Sequence, residues 1–183
     1  AILLDADGLT AFAGQAERLR EPLAGRRAVL TPHAGEFRAL FPDLAAQLDV
    51  DPWSAATEAS QRLGVTVLLK GVPTVVATPG RAPLTVAAGN PGLATGGSGD
   101  TLSGLCATFA AQQLEPQRAA AVAAFALGEA ADLAARRVSA RSMRPMDVLA
   151  ALPDVWRHWD LLRRLPTPPR PPLLHELPAP ARA

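Results

Sequence analysis

Short apolar runs alternate along this chain with longer segments in which polar and apolar positions are interspersed. Four of the runs predict buried strands, namely Ala1 to Leu4, Ala28 to Leu30, Val65 to Leu69 and Thr74 to Thr78. Continuous apolar runs of this length are typical of strands that are covered on both faces. Thr85 to Ala88 is a candidate fifth strand, which would form a hairpin with the fourth.

The interspersed segments between the strands predict helices. The helix that starts at Asp51-Pro52 has a favoured N-cap followed by a favoured first residue, and it ends at Gly64. The other predicted helices cover Leu9 to Arg20, Gly35 to Leu40, Ser98 to Gln113, Pro116 to Arg137 and Pro145 to Leu152. Because strands alternate with helices, we predict an α/β layered domain with a mainly parallel sheet.

Proline marks the predicted end of the folded region. Seven of the chain's 18 prolines lie between Pro166 and Pro180. Residues 166–183 are therefore predicted to form an extended proline-rich tail, and residues 1–165 a single domain. The chain starts at Ala1, inside an apolar run, so we expect that part of the native domain precedes it.

The stretch NPGLATGGSGDTLSG, from Asn90 to Gly104, is a glycine loop that leads into a predicted helix. The first turn of a helix offers unpaired N–H groups and the positive end of the helix dipole, and glycines let an anion approach closely. Asp100 would repel a phosphate at this position, so we interpret it as the proton acceptor for a substrate hydroxyl. The alternative is an ordinary turn in which Asp100 caps the helix. Neither the P-loop nor the dinucleotide-binding fingerprint is present.

Polar sequences also follow three predicted strands at their carboxyl ends, where ligands bind in parallel sheets. Asp5 follows the first strand and would face a Mg²⁺ ion or a substrate hydroxyl, with Asp7 as a turn residue. His33 follows the second strand, where it is either functional or structural, and Glu36 is an acid in a first helical turn. Lys70 ends the third strand and fits a phosphate contact, or it simply marks the exit of the chain to solvent.

Composition excludes several classes of function. The chain has 18 basic and 17 acidic residues, for a net charge of +1. This balance predicts neither nucleic acid nor a membrane as partner, and no apolar run approaches the ~20 residues of a membrane span. The single cysteine, Cys106, excludes a disulfide framework and fits a cytoplasmic protein. No residue is assigned as a metal ligand, since His33 has no second His or Cys at ligand spacing.

Four motifs in this order resemble a known family. LDADGLT, LTPHAGEF, VLLKG and GNPGLATGGSGDTLSG, which lie between Leu3 and about Leu152, are similar to the C-terminal domain of the NAD(P)H-hydrate repair enzymes. This is the ADP-dependent (S)-NAD(P)H-hydrate dehydratase family. The resemblance implies a ribokinase-like three-layer α/β/α sandwich with ADP as co-substrate and Mg²⁺ as cofactor. It also implies a homo-oligomer, or a chain fused to or associated with an epimerase domain.

The resemblance further implies which residues form the site. Asp100 would be the catalytic base, and His33, Asp5 and Asp100 would bind the hydrated NADH or NADPH. The residues that would bind the nucleotide are Lys70, Gly71, Val72, Pro73, Thr74, Asn90, Gly96, Gly97, Ser98 and Gly99.

Two alternatives stay open at this point. The first is a ribokinase-superfamily kinase that acts on a vitamin precursor or a sugar, since such kinases share the glycine loop and the base. The second is a non-catalytic nucleotide-binding fragment, because the chain lacks the early segments expected of the family.

Overall fold

The structure is a computed structural model that describes residues 1–112 and 115–165. The proline-rich tail predicted over residues 166–183 lies outside the described residues, as does Gln113, the predicted last residue of one helix. Within the described part, no helix combines the length and apolar character that crossing a bilayer requires.

A five-stranded sheet forms the centre of the domain, with its strands side by side in chain order. The strands are β1 (Ile2–Leu4), β2 (Ala28–Leu30), β3 (Thr66–Leu69), β4 (Thr74–Ala77) and β5 (Leu84–Val86). β1, β2 and β3 are parallel, and β4 is antiparallel to both of its neighbours. β5 therefore runs in the direction of β3, and the prediction of a mainly parallel sheet is confirmed.

Helices lie on both faces of this sheet. They are α1 (Asp7–Thr10), α2 (Arg20–Leu23), α3 (Ala34–Leu40), α4 (Ala45–Val50), α5 (Pro52–Leu63), α6 (Ser98–Ala111), α7 (Pro116–Val138) and α8 (Pro145–Arg164). Short 3₁₀ turns occur at Ala16–Leu19, Pro42–Leu44 and Pro91–Leu93.

Two hydrophobic clusters, one on each face of the sheet, define the three layers. Leu30 and Val67 point into the cluster shared with α1 to α5, whereas Val29 and Leu68 point into the cluster shared with α6 to α8. Neighbouring strand residues thus alternate between the two cores, as the pleat of a strand requires. The three-layer α/β/α sandwich is confirmed.

The helix predicted over Leu9 to Arg20 is wrong. α1 ends at Thr10, and the chain then passes through a turn before the 3₁₀ segment and α2. Gly14 has a φ of 66° in this turn, which an α-helix cannot contain. The apolar positions keep a helical spacing because Leu9, Ala16 and Leu19 all pack into the same core, although they belong to separate elements.

α8 is longer than predicted. It runs through Pro153 to Arg164 instead of ending at Leu152. Trp156 and Trp159 lie beyond this proline and pack against each other with ring centroids 5.1 Å apart. The apolar packing of these two rings against α6 and α7 stabilises the continued helix despite the missing N–H.

Candidate functional site

Three parallel strands end side by side, and each is followed by a residue predicted for the site. The pairing continues past the strands, since the Thr31 N–H donates to the Leu4 carbonyl at 3.0 Å and the Lys70 N–H donates to the Pro32 carbonyl at 2.8 Å. Asp5, His33 and Lys70 therefore come together at one edge of the sheet, as the sequence predicted.

The centre of this edge is an ion cluster around Lys70. The Nζ atom of Lys70 lies 2.9 Å from Asp5 Oδ1 and 3.5 Å from Glu36 Oε2. Solvent reaches only 21% of the Lys70 side chain, 15% of Asp5 and 8% of Glu36. Lys70 is also the only lysine in the chain. A single ammonium thus neutralises part of the charge of two largely buried carboxylates.

Asp5 is held from the opposite side by helix α6. The hydroxyl of Ser103 donates to Asp5 Oδ2 at 2.7 Å. Burial acts to raise the pKa of Asp5, but the hydrogen bonds from Lys70 and Ser103 and the charge of Lys70 together bring it below its ordinary value. Asp5 is therefore a fixed carboxylate with both oxygens engaged.

His33 caps helix α3. Its Nδ1 atom accepts hydrogen bonds from the N–H groups of Gly35 at 3.0 Å and of Glu36 at 3.1 Å, and Glu36 Oε2 accepts from the His33 N–H at 2.8 Å. This reciprocal capping box holds the Glu36 carboxylate beside Lys70. The imidazole remains 58% exposed, and its Nε2 atom lies 3.5 Å from Glu36 Oε1.

The glycine loop enters α6 next to this cluster. Gly97 has a φ of 90°, which favours glycine, and it is the N-cap of the helix. A Cβ atom built on Gly99 would lie 3.7 Å from both Lys70 Nζ and Asp5 Oδ2. Gly99, in the first turn of α6, therefore lies beside the Lys70 ammonium and the Asp5 carboxylate. Within the described residues, the buried hydroxyl of Ser98 has no hydrogen-bond partner.

Asp100 lies in the first turn of α6 and is exposed. It precedes Ser103 by three residues, and residues at this spacing are neighbours on one face of a helix. Ser103 donates to Asp5, so the helical turn that follows Asp100 contacts the ion cluster. The start of α6, which carries the predicted base, thus lies next to the predicted phosphate contact Lys70.

The other residues predicted to bind the nucleotide lie in the link between β3 and β4 and in the glycine loop. Gly71, Val72 and Pro73 link β3 to β4, the Val72–Pro73 peptide bond is cis, and Val72 is fully exposed. The hydroxyl of Thr74 donates to the Gly71 carbonyl at 3.2 Å. Gly96 is exposed in the loop, with open space around the position of a Cβ.

Asn90 has structural partners. Its amide donates to Asp132 Oδ1 on α7 at 2.9 Å and accepts from the Gly92 N–H at 3.0 Å. α7 also approaches the preceding segment closely, because a Cβ on Gly128 would lie 2.5 Å from the carbonyl carbon of Ala88. Asp132 and Gly128 thus anchor the start of the glycine loop. Sequence reasoning missed both, since neither belongs to a recognisable motif.

Sequence reasoning also gave Glu36 and Ser103 no role in the site. Glu36 had an ordinary explanation as an acid in a first helical turn, although it lies within the LTPHAGEF motif. Ser103 lies within the glycine-loop motif, one residue before its final glycine. The sequence signal that could have indicated a role for these two residues is their place within the motifs.

An open surface depression of about 330 Å³ lies beside the glycine loop. Pro91, Gly92 and Thr95 line one wall, and Arg141 and Met143 in the α7–α8 connection line the other.

The carboxylates at the sheet edge fit a metal that is bound together with a nucleotide. Among residues 1–112 and 115–165, no cluster of three or more His, Cys, Asp or Glu side chains could hold a metal ion alone. Mg²⁺ in nucleotide sites is bound by one or two carboxylates together with phosphates and water. Asp5 and Glu36, both within 3.5 Å of one ammonium, provide such a pair.

The sheet order, the two helical layers and the glycine loop at the strand ends define a ribokinase-like α/β protein. A ribokinase-like superfamily protein from Enterococcus faecalis V583 has a similar structure, with a TM-score of 0.67 and 26% identity over 86% of this chain and 52% of its own. The chain belongs to the NAD(P)H-hydrate dehydratase family, whose sequence profile matches residues 1–154.

Two relatives are named for an enzymatic activity. The bifunctional NAD(P)H-hydrate repair enzyme Nnr of Moorella thermoacetica is 40% identical over 159 residues, which are 85% of this chain and 29% of the relative. The ADP-dependent (S)-NAD(P)H-hydrate dehydratase of Cenarchaeum symbiosum is 36% identical over 141 residues, which are 76% of this chain and 48% of the relative.

A solved structure agrees with these sequences. The ADP/ATP-dependent NAD(P)H-hydrate dehydratase from Bacillus subtilis, co-crystallised with ATP and Mg²⁺, matches 86% of this chain and 54% of its own, with a TM-score of 0.74 and 29% identity. The chain therefore spans less than a third of the bifunctional relative and about half of the other two.

Proposed function

We propose that this chain forms the nucleotide side of an ADP-dependent dehydratase that restores hydrated NADH or NADPH. The observation that carries the proposal is the approach of the α6 N-terminus, at Gly99, to the only lysine of the chain. Together with family membership, this arrangement favours a phosphate site at the edge where the three parallel strands end.

The residues at and near this edge of the sheet form the proposed nucleotide contacts. The phosphates would bind Lys70 and the N–H groups of Gly97 and Gly99, with Ser98 between these two glycines and with Gly96 leaving room for their approach. The link from Gly71 through Val72 and Pro73 to Thr74, and Asn90 at the start of the loop, complete the proposed nucleotide contacts. The open depression beside Thr95 and Arg141, on the same glycine loop, is the proposed surface for the adenosine.

The proposed chemistry begins with a proton transfer. Asp100 takes the proton of the hydroxyl on the hydrated ring, and the hydroxyl oxygen attacks the β-phosphoryl group of ADP. The bond from that phosphorus to its bridging oxygen breaks, and AMP leaves. The α6 N-terminus stabilises negative charge on the transferred group.

Phosphorylation makes the departing oxygen a good leaving group. The lone pair of the ring nitrogen expels phosphate, and loss of a proton from the adjacent carbon restores the ring double bond. When bound, Mg²⁺ would neutralise charge on the phosphates, and Asp5 and Glu36 would hold it.

We assign His33 and Asp5 as substrate contacts because of their place in the fold. His33 Nε2 and the Asp5 carboxylate lie at the same sheet edge as Asp100, and the exposed imidazole is accessible to a ligand. A cytoplasmic location and a homo-oligomer, or association with an epimerase domain, belong to the same proposal. The Moorella thermoacetica relative is a bifunctional repair enzyme, which is consistent with a fused partner domain.

A turnover assay tests the function. The native gene product is incubated with chemically hydrated NADH, Mg²⁺ and ADP, and the absorbance of the reduced nicotinamide is followed. ADP-dependent recovery of that absorbance is expected. A stable phosphorylated product would instead identify a small-molecule kinase, and ADP binding without any turnover would identify a non-catalytic nucleotide-binding module.

A further inference from the structure

Lys70 lies at the position that a divalent cation would need. Its Nζ atom lies between Asp5 Oδ1, at 2.9 Å, and Glu36 Oε2, at 3.5 Å, and these two carboxylates are the metal donors available at this edge. A metal cannot enter this space while the ammonium fills it, because the two cations would repel each other.

Both carboxylates keep their places through partners other than Lys70. Ser103 donates to Asp5 Oδ2 at 2.7 Å, and the His33 N–H donates to Glu36 Oε2 at 2.8 Å. The donor pair therefore remains ordered if the ammonium moves away. Two such carboxylates without a cation are unfavourable in a largely buried site.

The nearest alternative partner of the ammonium is the anion site at the α6 N-terminus. A Cβ on Gly99 would lie 3.7 Å from Lys70 Nζ, so the ammonium already lies beside the first turn of α6. The flexible lysine stem can turn toward an anion bound at that helix end. If the ammonium moves to the phosphate and no metal enters, the two carboxylates are left without a cation. If a metal enters while the ammonium stays, two cations lie side by side.

We propose that Lys70 occupies the metal position in the nucleotide-free protein and exchanges it for the nucleotide phosphates, so that the divalent cation and the nucleotide bind only as a pair. This inference rests on the proposed nucleotide site. Movement of the ammonium to the nucleotide and entry of the metal are each unfavourable alone, and each compensates for the other. The binding of one ligand therefore strengthens the binding of the other, which is positive coupling.

The residue type supports the exchange. All other basic residues of the chain are arginine, and Lys70 is the only lysine. An arginine would bind a carboxylate through two parallel hydrogen bonds and would resist release. A lysine ammonium is a compact charge on a flexible stem and can change partners.

Binding of Mn²⁺, followed by the paramagnetic resonance signal of the free ion, tests the exchange. In wild-type protein we expect weak Mn²⁺ binding that strengthens when ADP is added. In Lys70→Met, Mn²⁺ alone should bind on the order of tenfold more tightly, and ADP should no longer strengthen it by as much. A folded Lys70→Met protein whose Mn²⁺ affinity equals that of wild type would overturn the proposal.

Arg62 offers a matched control. Its guanidinium also lies between two carboxylates, 2.5 Å from Asp43 and 2.9 Å from Glu58, but both acids are exposed on the surface. Arg62→Met should leave Mn²⁺ affinity unchanged. An equal gain in both variants would show a general charge effect instead of a built site, and would contradict the proposal.

The single lysine permits a direct readout as well. Reductive methylation with ¹³C-formaldehyde labels Lys70 together with any other amine of the protein, and the Lys70 signal is assigned from its absence in Lys70→Met. That signal should shift when Mg²⁺ and ADP are added together and stay in place with Mg²⁺ alone. A full shift with Mg²⁺ alone would contradict pairwise binding. Coupled binding without turnover of hydrated NADH would refute the proposed reaction and leave the exchange intact.

Discussion

Ser103 on α6 donates a hydrogen bond to Asp5 after β1, at 2.7 Å and across 98 positions of the chain. This contact joins the helix that carries Asp100 to the edge of the sheet where Lys70 lies. The geometry of the candidate site therefore depends on one hydroxyl that has no predicted catalytic role.

Removal of this hydroxyl should loosen the site. Ser103→Ala leaves Asp5 Oδ2 without a partner in a largely buried position, and we expect the free energy of unfolding to fall by about 1 to 2 kcal/mol. Urea denaturation measures the change. Thr108→Ala, an exposed substitution on the same helix, should change stability by less than about 0.5 kcal/mol. Equal losses of stability in the two variants would show that the hydrogen bond to Asp5 contributes no more than that of an exposed hydroxyl.

Acid should remove the contribution of Asp5 to stability. The pKa of Asp5 is lowered in the folded protein below its ordinary value of 3.8, so its carboxylate stabilises the fold above that pH and loses this effect as the pH falls through the folded pKa. The comparison is wild type against Asp5→Asn, by thermal unfolding across a pH series. The stability difference should be largest near neutral pH and shrink below about pH 4. A difference that is constant, or that grows in acid, would contradict the ion pair.

The two roles of His33 can be separated by substitution. His33→Ala removes the hydrogen bonds to the N–H groups of Gly35 and Glu36, and should lower the free energy of unfolding by about 1 kcal/mol. His33→Asn should restore most of this loss, since asparagine is a favoured N-cap. If the exposed imidazole binds substrate, His33→Asn should still raise the KM for hydrated NADH. Normal kinetics in a stable His33→Asn protein would limit this residue to capping.

The convergence of Asp5, His33 and Lys70 was predictable because the carboxyl ends of neighbouring parallel strands always share an edge. The pairing of Lys70 with Glu36 could not be predicted, because an acid in a first helical turn already has a sufficient local explanation. The partner of Asn90 was equally inaccessible, since Asp132 lies 42 positions away on another helix. Contacts between distant elements depend on packing that local patterns do not encode.

The helical boundaries differ from prediction for related reasons. The apolar spacing of Leu9, Ala16 and Leu19 matches a helix, but the positive φ of Gly14 separates them. The prediction ended α8 at Leu152, yet the helix continues through Pro153 to Arg164, and Trp156 and Trp159 pack against each other in the continued part. In both cases tertiary contacts decide an outcome that local propensity leaves open.

Substitution of Asp100 by asparagine is the most direct test of the central claim that this carboxylate drives ADP-dependent dehydration. Asparagine keeps the size and the helix position but cannot take the substrate proton. We expect ADP affinity, measured by calorimetry, to stay within about twofold, and the turnover of hydrated NADH to fall on the order of 10²-fold or more. Near-normal turnover in a folded Asp100→Asn protein that still binds ADP would contradict the account.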